Sequence, residues 1–104
     1  MDINKNAYKI NAAIQLVPLG VTNSYEIVNL AIDEIEKSGF AFEVGPFSTS
    51  VEASMDEIFN LITSIKNRVF LEHTQEILIN IQIHARKDGN VSSDEKVAKF
   101  RKSL

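Results

Sequence analysis

The chain has 104 residues, no cysteine and a formal net charge of -3. A domain of this size buries roughly two-thirds of the surface its unfolded form exposes, so it can fold without staples. The missing cysteines exclude a disulfide framework, a thiolate metal site and a cysteine nucleophile. The acidic balance argues against a generic polyanion binder, which would cluster Lys and Arg to displace counterions.

Met1 to Ala7 is polar, lacks the apolar core of a signal peptide, and reads as a flexible amino terminus. No apolar run approaches the roughly 20 residues that span a bilayer. A single cytoplasmic domain over residues 1–104, with no membrane and no nucleic-acid partner, is the expectation.

Tyr8 to Val17 alternates, with Ile10, Ala12, Ile14 and Leu16 on one side and Asn11, Ala13, Gln15 and Val17 on the other, and reads as a first strand. Pro18-Leu-Gly20 is expected to stop its ladder. Asn23 and Glu26 have the spacing of a reciprocal cap, and Val28, Ala31, Ile32 and Ile35 make a helical stripe that ends at Gly39. The spacing predicts a helix over Ser24 to Ser38.

Phe40 to Phe47 and Ser48 to Ala53 read as two adjacent strands, with Gly45-Pro46 between them or as a bulge in the first. Pro46 marks an edge strand. Ser54-Met-Asp-Glu57 is a capping box that opens a second helix, whose buried face is Ile58, Leu61, Ile62, Ile65 and Val69. Glu76 to Arg86 alternates again, with Ile77, Ile79, Ile81 and Ile83 inward. Asp88-Gly-Asn90 is a turn, and Ser92 with Glu95 opens a last helix over residues 92–104, with Val97, Phe100 and Leu104 at helical intervals.

The order βαββαβ with a short C-terminal helix predicts an α+β, ferredoxin-like sandwich. Its antiparallel sheet has strand order 4-1-3-2 and both main helices on one face. The other face mixes Asn11, Ala13, Gln15, Leu78, Asn80, Gln82 and His84, which suits a subunit interface or a ligand floor. A homo-oligomer, most simply a dimer through the sheets, is expected.

The fold does not choose the chemistry. The loop after the first strand has no arginine for an acylphosphatase-type site, and the central strands lack the stacking aromatics of RNA-recognition domains. No phosphate-binding loop, dinucleotide fingerprint or metalloprotease helix occurs. His73 and His84 show no ligand spacing, so no metal is expected; His73 reads as an exposed helix end and His84 as structural or interfacial. Glu43 and Glu52 fall on nearby rungs, but nothing completes a general acid/base site, and no catalytic residue is assigned. Ser48, Thr49 and Ser50 are either plain strand hydroxyls or hydrogen-bonding groups for a small polar heterocycle.

The string Phe42-Glu-Val-Gly-Pro-Phe-Ser-Thr-Ser-Val-Glu52 resembles the small thiamine-binding proteins related to YkoF. Val17-Pro18 at the end of the first strand, the Ser-Met-Asp-Glu-Ile opening of the second helix and Glu95-Lys-Val-Ala-Lys-Phe-Arg101 extend the likeness. The resemblance implies a non-enzymatic dimer or tetramer that binds thiamine or its hydroxymethylpyrimidine part, as a ligand rather than a cofactor, in vitamin delivery, storage or sensing. Ligand contacts are expected from Gln15, Phe47, Ser48, Thr49, Ser50 and Glu52, with Glu52 or an aromatic face towards the cationic thiazolium. The family often has glycine where this chain has Ala53, which bears on affinity if the ligand approaches the backbone there. The alternative is an oligomeric regulatory or interaction module of the same fold, with a different small ligand or none.

Overall fold

The computed structural model describes residues 8–71 and 73–101. The amino-terminal segment 1–7 and the last residues of the expected C-terminal helix, Leu104 included, lie outside them. Elements follow in the order β1 (Lys9–Pro18), α1 (Ser24–Ser38), β2 (Ala41–Val44), β3 (Thr49–Ser54), α2 (Met55–Phe70), β4 (Ile77–His84) and α3 (Asp94–Val97), the last running into a 3-10 turn at Ala98–Phe100. The four strands form one antiparallel sheet in the order β2-β3-β1-β4. This is the expected ferredoxin-like topology.

Alternation along β1 sends Ile10, Ala12, Ile14 and Leu16 to the helix side, where all four are buried. They meet Val51 and Ala53 of β3 and the inner stripes Ile27, Ala31, Ile35 of α1 and Ile58, Leu61, Ile65, Val69 of α2 in one cluster. Burying each large apolar side chain contributes roughly 1.5–3 kcal/mol, which makes this cluster the main stabilising term. The isoleucines of β4 are only partly buried, because β4 is an edge strand. Arg68 ties the two helices across the surface, 3.1 Å from Glu34 and 3.7 Å from Asp33.

The capping box of α2 is formed: Ser54 N–H donates to Glu57 Oε1 at 2.9 Å, and Glu57 N–H donates to Ser54 Oγ at 3.3 Å. The cap expected at α1 is not. Asn23 turns its amide to the Glu26 carboxylate at 3.3 Å, and no side chain caps the helix. Ile27, rather than Val28, leads the buried stripe of α1; Val28 and Ile32 are half-buried on its flank. Gly39 ends α1 with φ 79°, a left-handed conformation that a β-carbon disfavours.

Several boundaries differ from expectation, and β4 is shorter than Glu76 to Arg86, at Ile77–His84. Pro18 belongs to β1, in register with Ile77. Its missing N–H is harmless because pairing of β1 with β3 stops at Ile14 opposite Thr49, leaving that side of Pro18 without a strand. The strand expected at 40–47 is shorter, since Gly45 N–H donates to Ser48 O at 2.9 Å and closes a turn through Pro46 and Phe47, and the next strand keeps its length but shifts by one residue to Thr49–Ser54. Pro46 is therefore a turn residue beside an edge strand rather than part of that strand. A β-carbon on Gly45 would meet Ser48 O at 3.0 Å, which explains glycine there. Of the expected helix at 92–104, the described residues form one α turn and one 3-10 turn, with Phe100 70% exposed and Val97 partly exposed.

Candidate functional site

Two features of the sheet create the site. The β1–β3 ladder ends at Ile14 and Thr49, whereas β1 continues along β4 to Pro18, so the sheet is notched at this end. The β2–β3 turn and the first turn of α1 stand on either side of the notch. Between them lies a cleft of about 200 Å³. Its floor is apolar, from Ile14, Ala31 and Ile35 of the core together with Val28.

Polar groups enter at one side. Thr49 is in register with Ile14 on the helix side of the sheet, only 5% exposed, and lines the cleft beside Ser48 and Gln15. Among the described residues neither the Thr49 nor the Ser48 hydroxyl has a hydrogen-bond partner, whereas Gln15 Oε1 accepts from Asn80 Nδ2 at 3.1 Å. Phe47 and Tyr25 stand at the mouth, 81% and 86% exposed. An apolar cleft with a few convergent polar groups is the ordinary form of a small-molecule site. This one is smaller than the roughly 300–1,000 Å³ that drug-sized ligands occupy, and it suits a single ring.

Three of the expected ligand residues, Phe47, Ser48 and Thr49, thus converge on the cleft, while Gln15 borders it with its amide turned to Asn80 on the open face. Ser50 and Glu52 do not. They lie opposite Ala13 and Asn11 on the open face, where the segment 90–101 straps across the sheet. Ser50 Oγ accepts from Asn11 Nδ2 at 2.8 Å and lies 2.6 Å from Ser93 Oγ, while Glu52 Oε1 accepts the Ser93 N–H at 3.3 Å. Glu43 is exposed, and its carboxylate meets Arg101 Nη2 at 2.5 Å. Ala53 lines neither side of the notch. Its methyl is in the core opposite Ile10, so the glycine-to-alanine difference falls away from the cleft.

The strap is held mainly by polar contacts. Lys9 N–H donates to Asn90 Oδ1 at 2.8 Å and Val91 N–H to Lys9 O at 3.0 Å, and Val91 is its one buried side chain among the described residues. Ser92 and Glu95 form a reciprocal cap at 3.0 and 3.2 Å, and Arg86 Nη2 reaches Glu95 Oε2 at 2.7 Å. The Arg86 hydrogen bond, then that from Ser92 N–H, lowers the Glu95 carboxyl from 4.5 to about 2. Arg101 is raised by its carboxylate partners Glu43 and Asp94.

Sequence reasoning missed Tyr25. Its signal was an aromatic residue in the first turn of α1, out of step with the apolar stripe, which helical periodicity assigns to solvent. No group of three or more His, Asp or Glu residues that could hold a metal occurs among the described residues. No helix among them is long and apolar enough to cross a membrane.

Comparison with known proteins agrees with this architecture. Over 93 residues the chain is 33% identical to a UPF0045 protein of Clostridium perfringens, covering 88% of this chain and 96% of that one. A domain of unknown function from Bacillus cereus superposes with a TM-score of 0.84 at 27% identity, over 94% of this chain and 95% of that one. A Thermotoga maritima protein, assigned provisionally to thiamine biosynthesis or salvage, superposes with a TM-score of 0.82 at 27% identity, over 89% and 99%. Residues 12–101 match the family described as Thiamine-binding protein, and the chain belongs to that family.

Proposed function

We propose that this protein binds thiamine or its hydroxymethylpyrimidine part without transforming it, and that the pyrimidine enters the cleft at the notch of the sheet. The observation that carries this reading is the pairing of an apolar, one-ring cleft with the unpartnered hydroxyls of Thr49 and Ser48. An aminopyrimidine offers an amino donor and ring-nitrogen acceptors to such groups. The thiazolium then lies at the mouth, where the exposed faces of Tyr25 and Phe47 suit a cationic ring. Family membership supports the same ligand class.

Isothermal titration with thiamine, its phosphates and hydroxymethylpyrimidine tests the proposal. Saturable heat with at least one of them is the expected result; none with any would overturn the ligand class. Assembly of two or four copies through the open sheet face belongs to the same reading, supported by Leu78, which stands 52% exposed on that face. Light scattering at micromolar concentration checks it, and a monomeric mass would remove that part. The family likeness and the formed cleft favour this over a regulatory module without a ligand.

A further inference from the structure

The open face carries a second hollow, about 380 Å³, between the strap and the sheet. Asn11, Ser50, Gln82 and His84 of the sheet and Lys96 of the strap line it, and no carboxylate does. Lys96 Nζ lies 3.1 Å from His84 Nδ1; among the described residues neither group makes a salt bridge, and the Glu95 carboxylate interacts with His84 electrostatically from farther away. Both arginines touching the strap are neutralised, Arg86 by Glu95 and Arg101 by Glu43 and Asp94. The acids nearest the hollow are also engaged: Glu52 by the Ser93 N–H and Glu95 by Arg86 and the Ser92 N–H.

The donors that remain share one character. In the tautomer whose Nδ1 accepts from the Lys96 ammonium, His84 Nε2 is an N–H donor. Lys96 keeps two further N–H groups, and the Gln82 amide two. The Asn11 amide, by contrast, is spent on Ser50 Oγ and Val51 O. We infer that this hollow is a binding site for a small oxyanion, a phosphate or a carboxylate, held by Lys96 from the strap and by His84 and Gln82 from β4. An anion there takes charge-assisted hydrogen bonds from both sides and pins the strap to the sheet. The site is separate from the cleft, and the inference does not depend on thiamine.

The test uses the full chain without thiamine, titrated with inorganic phosphate, sodium acetate or sodium chloride at fixed pH and ionic strength. The His84 imidazole resonances are followed by NMR, with His73 as the control in the same molecule. The expected result is a saturable His84 shift with phosphate, acetate or both, absent with chloride, and His73 unmoved. Response to phosphate alone or to acetate alone identifies which oxyanion the hollow takes. Lys96→Ala is expected to weaken binding by roughly 10-fold to 100-fold, the size of a lost charged hydrogen bond, and Lys96→Arg to retain it. A His84 shift no larger than chloride produces, or one that Lys96→Ala leaves unchanged, overturns the inference.

Discussion

Thr49 and Ser50 are consecutive in sequence and open onto opposite sides of the sheet. Thr49, in register with Ile14, faces the cleft under α1; Ser50, in register with Ala13, is held 2.6 Å from Ser93 on the strap. The two hydroxyls therefore separate the cleft from the open face in one experiment. Thr49→Val, which keeps the side-chain shape, is expected to weaken hydroxymethylpyrimidine binding about tenfold, the value of one hydrogen bond near 1–1.5 kcal/mol. Ser50→Ala is expected to leave it unchanged. Calorimetry decides, and a larger loss at Ser50 than at Thr49 would move the ligand to the open face.

Tyr25 and Phe47 are the most exposed large apolar side chains among the described residues, at 86% and 81%. Removing either should alter folding stability by no more than about 0.5 kcal/mol. Tyr25→Ala and Phe47→Ala are instead expected to weaken thiamine binding several-fold, a cation–π contribution of roughly 0.5–1 kcal/mol for each exposed ring. Hydroxymethylpyrimidine, which lacks the thiazolium, should bind almost as before. Equal losses for both ligands would place the rings against the pyrimidine.

Acid should loosen the strap at one defined point. The Glu95 carboxyl is held at about 2 instead of 4.5 by Arg86 and by the Ser92 N–H. A group lowered in the folded state contributes stability that is complete above 4.5 and is lost as the pH falls towards 2. The pair is exposed, so global stability should barely respond. The Ser92 amide-proton shift is expected to titrate with a midpoint near 2 and to lose that step in Glu95→Gln; a midpoint near 4.5 would mean that the Arg86 contact does not persist in solution.

Stability should be concentrated in the helix-side cluster. Ile58 is fully buried, and Ile58→Ala is expected to cost roughly 2–5 kcal/mol, the cavity included. Ser54→Ala, which removes one half of the capping box, should cost about 1 kcal/mol. Urea unfolding of both variants gives the comparison; a cap loss as large as the core loss would contradict this ranking.

Much of the architecture was legible from local patterns. The alternation of β1 and β4, the stripe of α2 and the Ser54–Glu57 box each depend on residues within one element, and together with right-handed crossovers they leave one sheet order. Asn23 and Glu26 carried the same spacing as that box and failed to form it, because their side chains bond each other. The short C-terminal helix was overread for a related reason. Ser92 and Glu95 do make their cap, but none of the residues of these turns is buried and Phe100 stays 70% exposed, and such a short helix is not self-sustaining.

By itself, then, the sequence determined the topology and the helix-side core, since hydrophobic period and caps act over a few residues, and it singled out the stretch 40–53, part of which lines the cleft. Only the tertiary structure decided how that stretch divides. The Gly45–Ser48 turn sets the phase of β3, and a change of phase by one residue would exchange the sides of Thr49 and Ser50. The length of the β1–β3 ladder makes the notch, and the path of the strap occupies Ser50 and Glu52. The ladder and the strap join residues about 35 to 45 positions apart, and local pattern carries no information about contacts that long-range hydrogen bonding alone establishes.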